Sequence, residues 1–320
     1  MAGLYPPIEP YEHGMLDVGD GNSVYWETCG NPDGKPALVI HGGPGSGCTP
    51  GHRRAFDPDR YRIVLYDQRG CGRSRPHASD PATDMSVNTT EHLLADMELL
   101  RERLGVERWL LSGASWGSTL LLAYAERHPE RTTEIVISAV TTTRRWEIDW
   151  LYHGLRRFFP REWAEFRDGA PEAERDGDLT AAYARLMENP DAVVRERAAR
   201  AWHTWEDATI SLEPNGHPGS FSDRPFIEML SRARICAHYF SHGVWLDEGV
   251  LLRNADRLAG IPGTLIHGRL DIGSPLDTAW ELTRIWTDPE LIMLTDTGHS
   301  GSTSMTEVKR RTLDEYAKGW

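Results

Sequence analysis

Leu110-Leu111-Ser112-Gly113-Ala114-Ser115-Trp116-Gly117-Ser118-Thr119 decides how this 320-residue chain is to be read. An apolar, strand-like run ends near Gly113, and Ser118 to Arg127 has the spacing of a helix. Between them stands Gly113-x-Ser115-x-Gly117, a pattern that seats a serine on the tight turn from strand to helix. Such a turn needs strained dihedrals at the serine. Glycines two positions to either side let neighbouring backbone pass without a Cβ clash. The turn lifts the Ser115 hydroxyl clear of the sheet and aims the Trp116 N–H and the helix N-terminus at the same point. Three fixed positions in five also arise by chance, and then Ser115 is a bystander in a Gly-rich turn. The rest of the chain separates the two readings.

Upstream, Met15 to Cys29 alternates around Gly19-Asp20-Gly21 as a hairpin does. Ala37 to Ile40 and Arg62 to Tyr66 are short apolar runs, as expected of strands buried on both faces. Thr90 to Leu104 reads as a helix capped by Thr90, with Leu93, Leu94, Met97, Leu100 and Leu104 on one face. Glu134 to Val140 is a further strand. Strands alternating with helices imply a mostly parallel sheet covered on both sides. The first of these strands opens into His41-Gly42-Gly43-Pro44-Gly45, which lacks the Gly-Lys-Ser/Thr ending of a phosphate loop. It suits an oxyanion loop instead, with the Gly43 N–H facing that of Trp116. Arg69 and Arg73, after the second strand, are either site charges or loop braces.

After Thr141 the composition changes. Arg144 to Asn254 is rich in Trp, Arg, Glu and Ala at helical spacing. One helix is expected through Trp146, Trp150, Leu151, Leu155 and Phe158, others over Leu179–Met187 and Ala192–Glu206, and a loop over Glu213–Asp223. The α/β pattern resumes with the strand Gly263–Ile266, ending in Gly268-Arg269-Leu270-Asp271, and the strand Leu291–Leu294, leading to Gly298-His299-Ser300. Ser115, Asp271 and His299 therefore each lie just past the C-terminal end of a strand, the edge of a parallel sheet where ligands bind. Each has a plain reading alone: Asp271 as a turn residue, His299 as one of 13 histidines. Together they are what nucleophilic catalysis requires. A serine hydroxyl is a poor nucleophile at neutral pH, a histidine removes and returns its proton, and an aspartate orients the imidazole and stabilises its cation.

Composition narrows the partners. Hydrophobic residues at 39% and charged ones at 26% make an ordinary globular mix. The formal net charge of −13, from 48 acidic against 35 basic residues, argues against nucleic acid and anionic membranes as partners. The first residues show neither a basic start nor a long apolar run, so no export signal or membrane span is expected, and the cytoplasm is the expected location. Cys29, Cys48, Cys71 and Cys236 are widely spaced and match no zinc pattern; reduced thiols and no metal are expected.

With these motifs in hand, the sequence resembles the prolyl aminopeptidase (proline iminopeptidase) family of α/β-hydrolases over nearly its whole length. The likeness rests on Leu4-Tyr5-Pro6-Pro7, His41 to Gly45, Asp67-Gln68-Arg69-Gly70-Cys71-Gly72-Arg73-Ser74, Ser115 to Leu120, Gly268 to Asp271 and Gly298 to Ser300. The chain order Ser, Asp, His is also that of α/β-hydrolases. The resemblance implies an α/β core over residues 1–141 and 258–320, a helical cap over 142–257, hydrolysis without a cofactor, and removal of an N-terminal residue from a short peptide or aminoacyl amide. Trp202-His203-Thr204-Trp205-Glu206 is similar to the family's Trp-x-x-Trp-Glu, whose glutamate holds the substrate's α-ammonium group. Tyr152 resembles a tyrosine lining the family's pocket.

Three positions depart from the family. A second amine-binding glutamate is replaced by Cys236, and an aromatic wall for the proline ring by Thr141, with Ser138 where an arginine is usual. The expectation is a serine aminopeptidase in which proline is not the preferred residue and a small one is accepted at least as well. A branch that strips small aminoacyl groups from natural-product intermediates is one place for it. A carboxylesterase of the same fold, which needs no Glu206, is the alternative within enzymes, and a non-catalytic ligand receptor the alternative outside them.

Overall fold

The computed structural model describes residues 3–287, 289–318 and 320. Its first strands, β1 (Glu12–Gly19) and β2 (Asn22–Gly30), form the expected hairpin. They lead into β3 (Lys35–Ile40), β4 (Tyr61–Tyr66), β5 (Trp109–Ser115), β6 (Thr132–Val140), β7 (Gly263–Gly268) and β8 (Glu290–Leu294). One eight-stranded sheet results, in the order β1-β2-β4-β3-β5-β6-β7-β8. β4 to β8 run parallel, and only β1 and β2 are antiparallel to their neighbours.

The central strands are apolar throughout because both faces are covered. Leu38, Ile40, Val64, Leu111 and Ile137 face one side. Their alternates Val39, Ile63, Leu65, Leu110 and Val136 face the other, as a two-residue period dictates. Three short or long helices belong to this half: α1 (Pro50–Arg53), α2 (Thr90–Arg103) and α3 (Trp116–Arg127). Between β6 and β7 come α4 (Arg145–Tyr152), α5 (Pro160–Asp168), α6 (Leu179–Met187), α7 (Ala192–Ile210), α8 (Phe226–Ser241) and α9 (Val250–Arg253). Then follow α10 (Leu276–Thr283) and α11 (Thr303–Tyr316), the latter burying Met305 and Leu313 against the second face.

Two local expectations change. The helix starting near Trp146 stops at Tyr152 and gives way to a tighter turn, Gly154–Arg157. Gly154 is a weak helix former, and the Trp150 ring lies where a Cβ at 154 would be, 2.5 Å away. Thr89, not Thr90, is the N-cap residue of α2, and the Thr90 hydroxyl instead donates to the Val244 carbonyl at 2.5 Å. That bond ties the core helix to the helical segment above it.

Candidate active site

Ser115 stands between β5 and α3 with φ +55° and ψ −129°. A non-glycine residue there carries strain of about 1–3 kcal/mol, held by the packing around it. Gly117 shows how tight the turn is. A Cβ on it would lie 2.4 Å from the Ile40 carbonyl of β3, so any side chain would push the nucleophile turn off its neighbouring strand.

With its imidazole neutral, His299 accepts the Ser115 hydroxyl at Nε2 (3.1 Å), and its Nδ1–H donates to Asp271 Oδ2 at 2.9 Å. Asp271 Oδ1 accepts from the Ser274 N–H at 2.8 Å, and its side chain is fully buried. Three strand ends thus bring together residues up to 184 positions apart. Burial opposes a charge on His299. The charge and hydrogen bond of Asp271, with Glu213 and Glu206 beyond, outweigh it and raise its pKa to about 9. His267, beside Asp271, accepts from the Val140 N–H and donates to the Ser274 carbonyl. Burial lowers its pKa, so it stays a neutral strut.

Gly43 and Trp116 line the same cavity as Ser115 and His299. Gly43 has φ +116°, a conformation open to glycine. Its loop is fixed to the nucleophile turn through Gln68. The Gln68 N–H donates to His41 Nε2, its amide donates to the His41 carbonyl, and its Oε1 accepts from Trp116 Nε1, each at 3.0 Å. Arg69 and Arg73 are braces. Arg69 grips Asp96 with two bonds of 2.8 Å, and Arg73 bridges Asp67 and Glu27.

The cavity measures about 730 Å³ including its open mouth. Glu206 lines it from α7, only 6% exposed. Its Oε1 accepts from the Tyr152 hydroxyl and, one helical turn away, from Trp202 Nε1, both at 3.0 Å. Trp205 Nε1 donates to the Leu151 carbonyl at 3.2 Å, and the Tyr152 and Trp202 rings pack at 4.6 Å. The Trp-x-x-Trp-Glu motif therefore builds a rigid holder for one carboxylate.

That carboxylate already has a cation, which the sequence reading did not foresee. Arg232 on α8 hydrogen-bonds Glu206 Oε2, and it also reaches His203 Nδ1 at 3.2 Å and the Ser46 hydroxyl at 3.4 Å. Burial would raise the Glu206 pKa; Arg232 and the surrounding donors override it and lower the value. His203 donates to the Met229 carbonyl, and burial takes its pKa down to about 4, so it is neutral. The signal for Arg232 was its i+4 spacing from Cys236 on one helix face, but which face meets Glu206 depends on how α7 and α8 pack.

The remaining expected site residues divide. Thr141 lines the cavity, its hydroxyl donating to Glu147 Oε1 at 3.1 Å. Tyr152 lines it as well and holds Glu206. Cys236 does not. Its buried thiol turns to the Pro44 carbonyl at 3.2 Å, beneath the glycine loop rather than into the cavity. Tyr152, Phe221 and Phe240 line the cavity, so threonine at 141 leaves aromatic surface in place. Among the described residues no His, Cys, Asp or Glu side chains gather as a metal site needs, and no helix is long and apolar enough to cross a membrane.

Comparison with known proteins bears on the family and the fold. A family model for the alpha/beta hydrolase fold matches residues 35–302. A probable proline iminopeptidase of Streptomyces coelicolor is 53% identical, over 99% of this chain and 98% of its own length. The chain belongs to the proline iminopeptidase family of α/β-hydrolases. Other members of the proline iminopeptidase family, from Xylella fastidiosa and Arabidopsis thaliana, are 46% and 44% identical over 94% and 93% of this chain, and over 94% and 78% of their own. The fold also matches a solved proline iminopeptidase of Mycobacterium smegmatis, with a TM-score of 0.63 at 18% identity over 96% of this chain and 97% of that one.

Proposed function

We propose that this protein is a serine aminopeptidase that releases a small N-terminal residue, proline included, from a peptide or aminoacyl amide with a free α-amine. The observation that carries it is the hydrogen-bonded series Ser115–His299–Asp271 opening into one cavity with the buried carboxylate Glu206. Residues 142–257 act as a cap that excludes water from this cavity. The four free cysteines fit a reducing cytoplasm.

In this reading His299 Nε2 takes the Ser115 proton as Oγ attacks the substrate carbonyl. The Gly43 and Trp116 N–H groups stabilise the resulting oxyanion. The tetrahedral intermediate collapses, the C–N bond breaks, and His299 returns the proton to the departing amine. Water then hydrolyses the Ser115 ester by the same steps, releasing the N-terminal residue as a free acid and restoring the hydroxyl. Throughout, Asp271 holds the imidazolium. The α-ammonium group joins Arg232 as a second cation on Glu206, using the acceptor capacity that its three donors leave free. A plain carboxylesterase has no use for that buried carboxylate.

The test is a panel of Pro-, Ala-, Gly- and Leu-p-nitroanilides with N-acetylated controls. Free-amine Pro, Ala and Gly substrates should turn over, and acetylation should lower kcat/KM by roughly tenfold to a hundredfold, the worth of one charge-assisted hydrogen bond of about 1.5–3 kcal/mol. Equal turnover of acetylated and free substrates would reject the aminopeptidase reading.

A further inference from the structure

Glu213 lies three residues beyond α7, in a stretch that reads from sequence as a plain loop. It is 5% exposed. Its Oε1 accepts the His299 N–H at 2.7 Å and its Oε2 the Ser300 N–H at 2.8 Å. The same stretch adds a second strap, from the Asn215 side-chain amide to the Gly301 carbonyl at 2.7 Å. Gly298 is shaped to this arrangement: a Cβ there would fall 2.2 Å from Glu213 Cδ and 2.5 Å from its Oε2. Beyond β8, His299 sits in a tight turn closed by the Gly301 N–H on the Gly298 carbonyl at 3.1 Å, so its ring is only as well placed as that turn. Asp271 and Ser115 fix the two ring nitrogens; Glu213 fixes the backbone through the His299 and Ser300 N–H groups.

We propose that Glu213 is a positioning residue for catalysis, clamping the His299 loop to the helical segment and adding a fixed negative charge beneath the imidazole. This rests on the reading of Ser115, His299 and Asp271 as the catalytic set. The groups facing His299 are Asp271 at Nδ1, Glu213 beneath its backbone, Glu206 across the cavity paired with Arg232, and neutral His267 behind Asp271. All three carboxylates favour the imidazolium, and burial opposes it. Removing the Glu213 charge therefore makes His299 lose its proton at lower pH.

The test is Glu213→Gln. The amide keeps one acceptor oxygen and turns an NH2 toward the other backbone N–H. The readout is the pH dependence of inactivation by a fluorophosphonate, which needs only the serine and its base. A failure of the aminopeptidase assignment therefore leaves this measurement intact. The expected result is a folded protein whose inactivation rate falls about tenfold or more, as a displaced base predicts, with the acid limb moved to lower pH. KM for Ala-p-nitroanilide should change by less than about threefold, since substrate contacts are untouched. Gly298→Ala should be damaging in the wild type but add little further loss in a Glu213→Ala background, where the colliding carboxylate is already gone. An unchanged rate and limb in Glu213→Gln, an unfolded Glu213→Gln, or additive effects in the Gly298→Ala and Glu213→Ala pair would each overturn the proposal.

Discussion

Replacing Arg232 with methionine tests how the cavity holds its carboxylate. The side chains of Arg232 and Glu206 are 8% and 7% exposed. Removing one member of a buried ion pair typically costs about 3–5 kcal/mol, because the other charge is left without its counterion. Here Tyr152 and Trp202 still donate to Glu206 Oε1 at 3.0 Å, which puts the expected loss near the lower end, about 3 kcal/mol. For a domain of this size each kcal/mol moves Tm by about 2 °C, so Tm should fall by roughly 6 °C at neutral pH. The pH dependence follows from the sign of the shift. In the wild type the Glu206 pKa is lowered, so its contribution is present above the unfolded carboxyl value of about 4.3 and is lost as pH falls through the folded one. In Arg232→Met, burial prevails, Glu206 takes a proton more readily, and the stability gap to wild type narrows in acid. Catalysis should move the other way. The substrate ammonium becomes the only cation on Glu206, so the discrimination between Ala-p-nitroanilide and its N-acetyl form should widen. Thermal unfolding at neutral and acid pH, with kcat/KM for both substrates, reads all of this. A variant as stable as wild type at neutral pH, with an unchanged ratio of the two substrates, would refute the reasoning.

Ser115→Ala and His299→Ala should each lower kcat by several orders of magnitude at unchanged Tm, because nucleophile and base act as a unit; retention of more than about a tenth of the activity would remove either from the mechanism. The kcat/KM profile should rise with pH through a value above the free imidazole reference of about 6.5, since the His299 pKa is raised. Asp271→Asn should bring that limb down while lowering the maximal rate, and a limb that stays in place would show that Asp271 does not set it.

Much of this architecture was legible in the chain. Continuous apolar runs such as Ala37–Ile40 and Leu110–Leu111 mark strands buried on both faces because β-branched and leucine-rich stretches of that length have no solvent face to spare. Ser115, Asp271 and His299 could be read because each stands at, or a few residues past, the C-terminal end of a strand. The strand end, a local feature, delivers the side chain to one edge of the sheet. The glycines around Ser115 were readable for the same reason: a turn that brings Gly117 onto the Ile40 carbonyl admits no Cβ.

What lies above the sheet edge was legible only in part. Trp202, Trp205 and Glu206 stand out as a motif, since their spacing places Trp202 and Glu206 on one face of α7. The partner of Glu206 did not, nor did the turn of Cys236 away from the cavity, because both depend on the rotation and approach of α8 against α7. Glu213 carried no signal of its own; a glutamate beyond a helix end is ordinarily solvated. Its role exists because the end of α7 descends onto the His299 loop, 86 residues later in the chain. The sequence by itself thus determined the sheet and the placing of Ser115, Asp271 and His299 at its edge, through periodicity and strand ends that act over a few residues. Tertiary structure alone decided the charge state and shape of the cavity, because burial and the meeting of distant charges are properties of packing, and no local pattern encodes them.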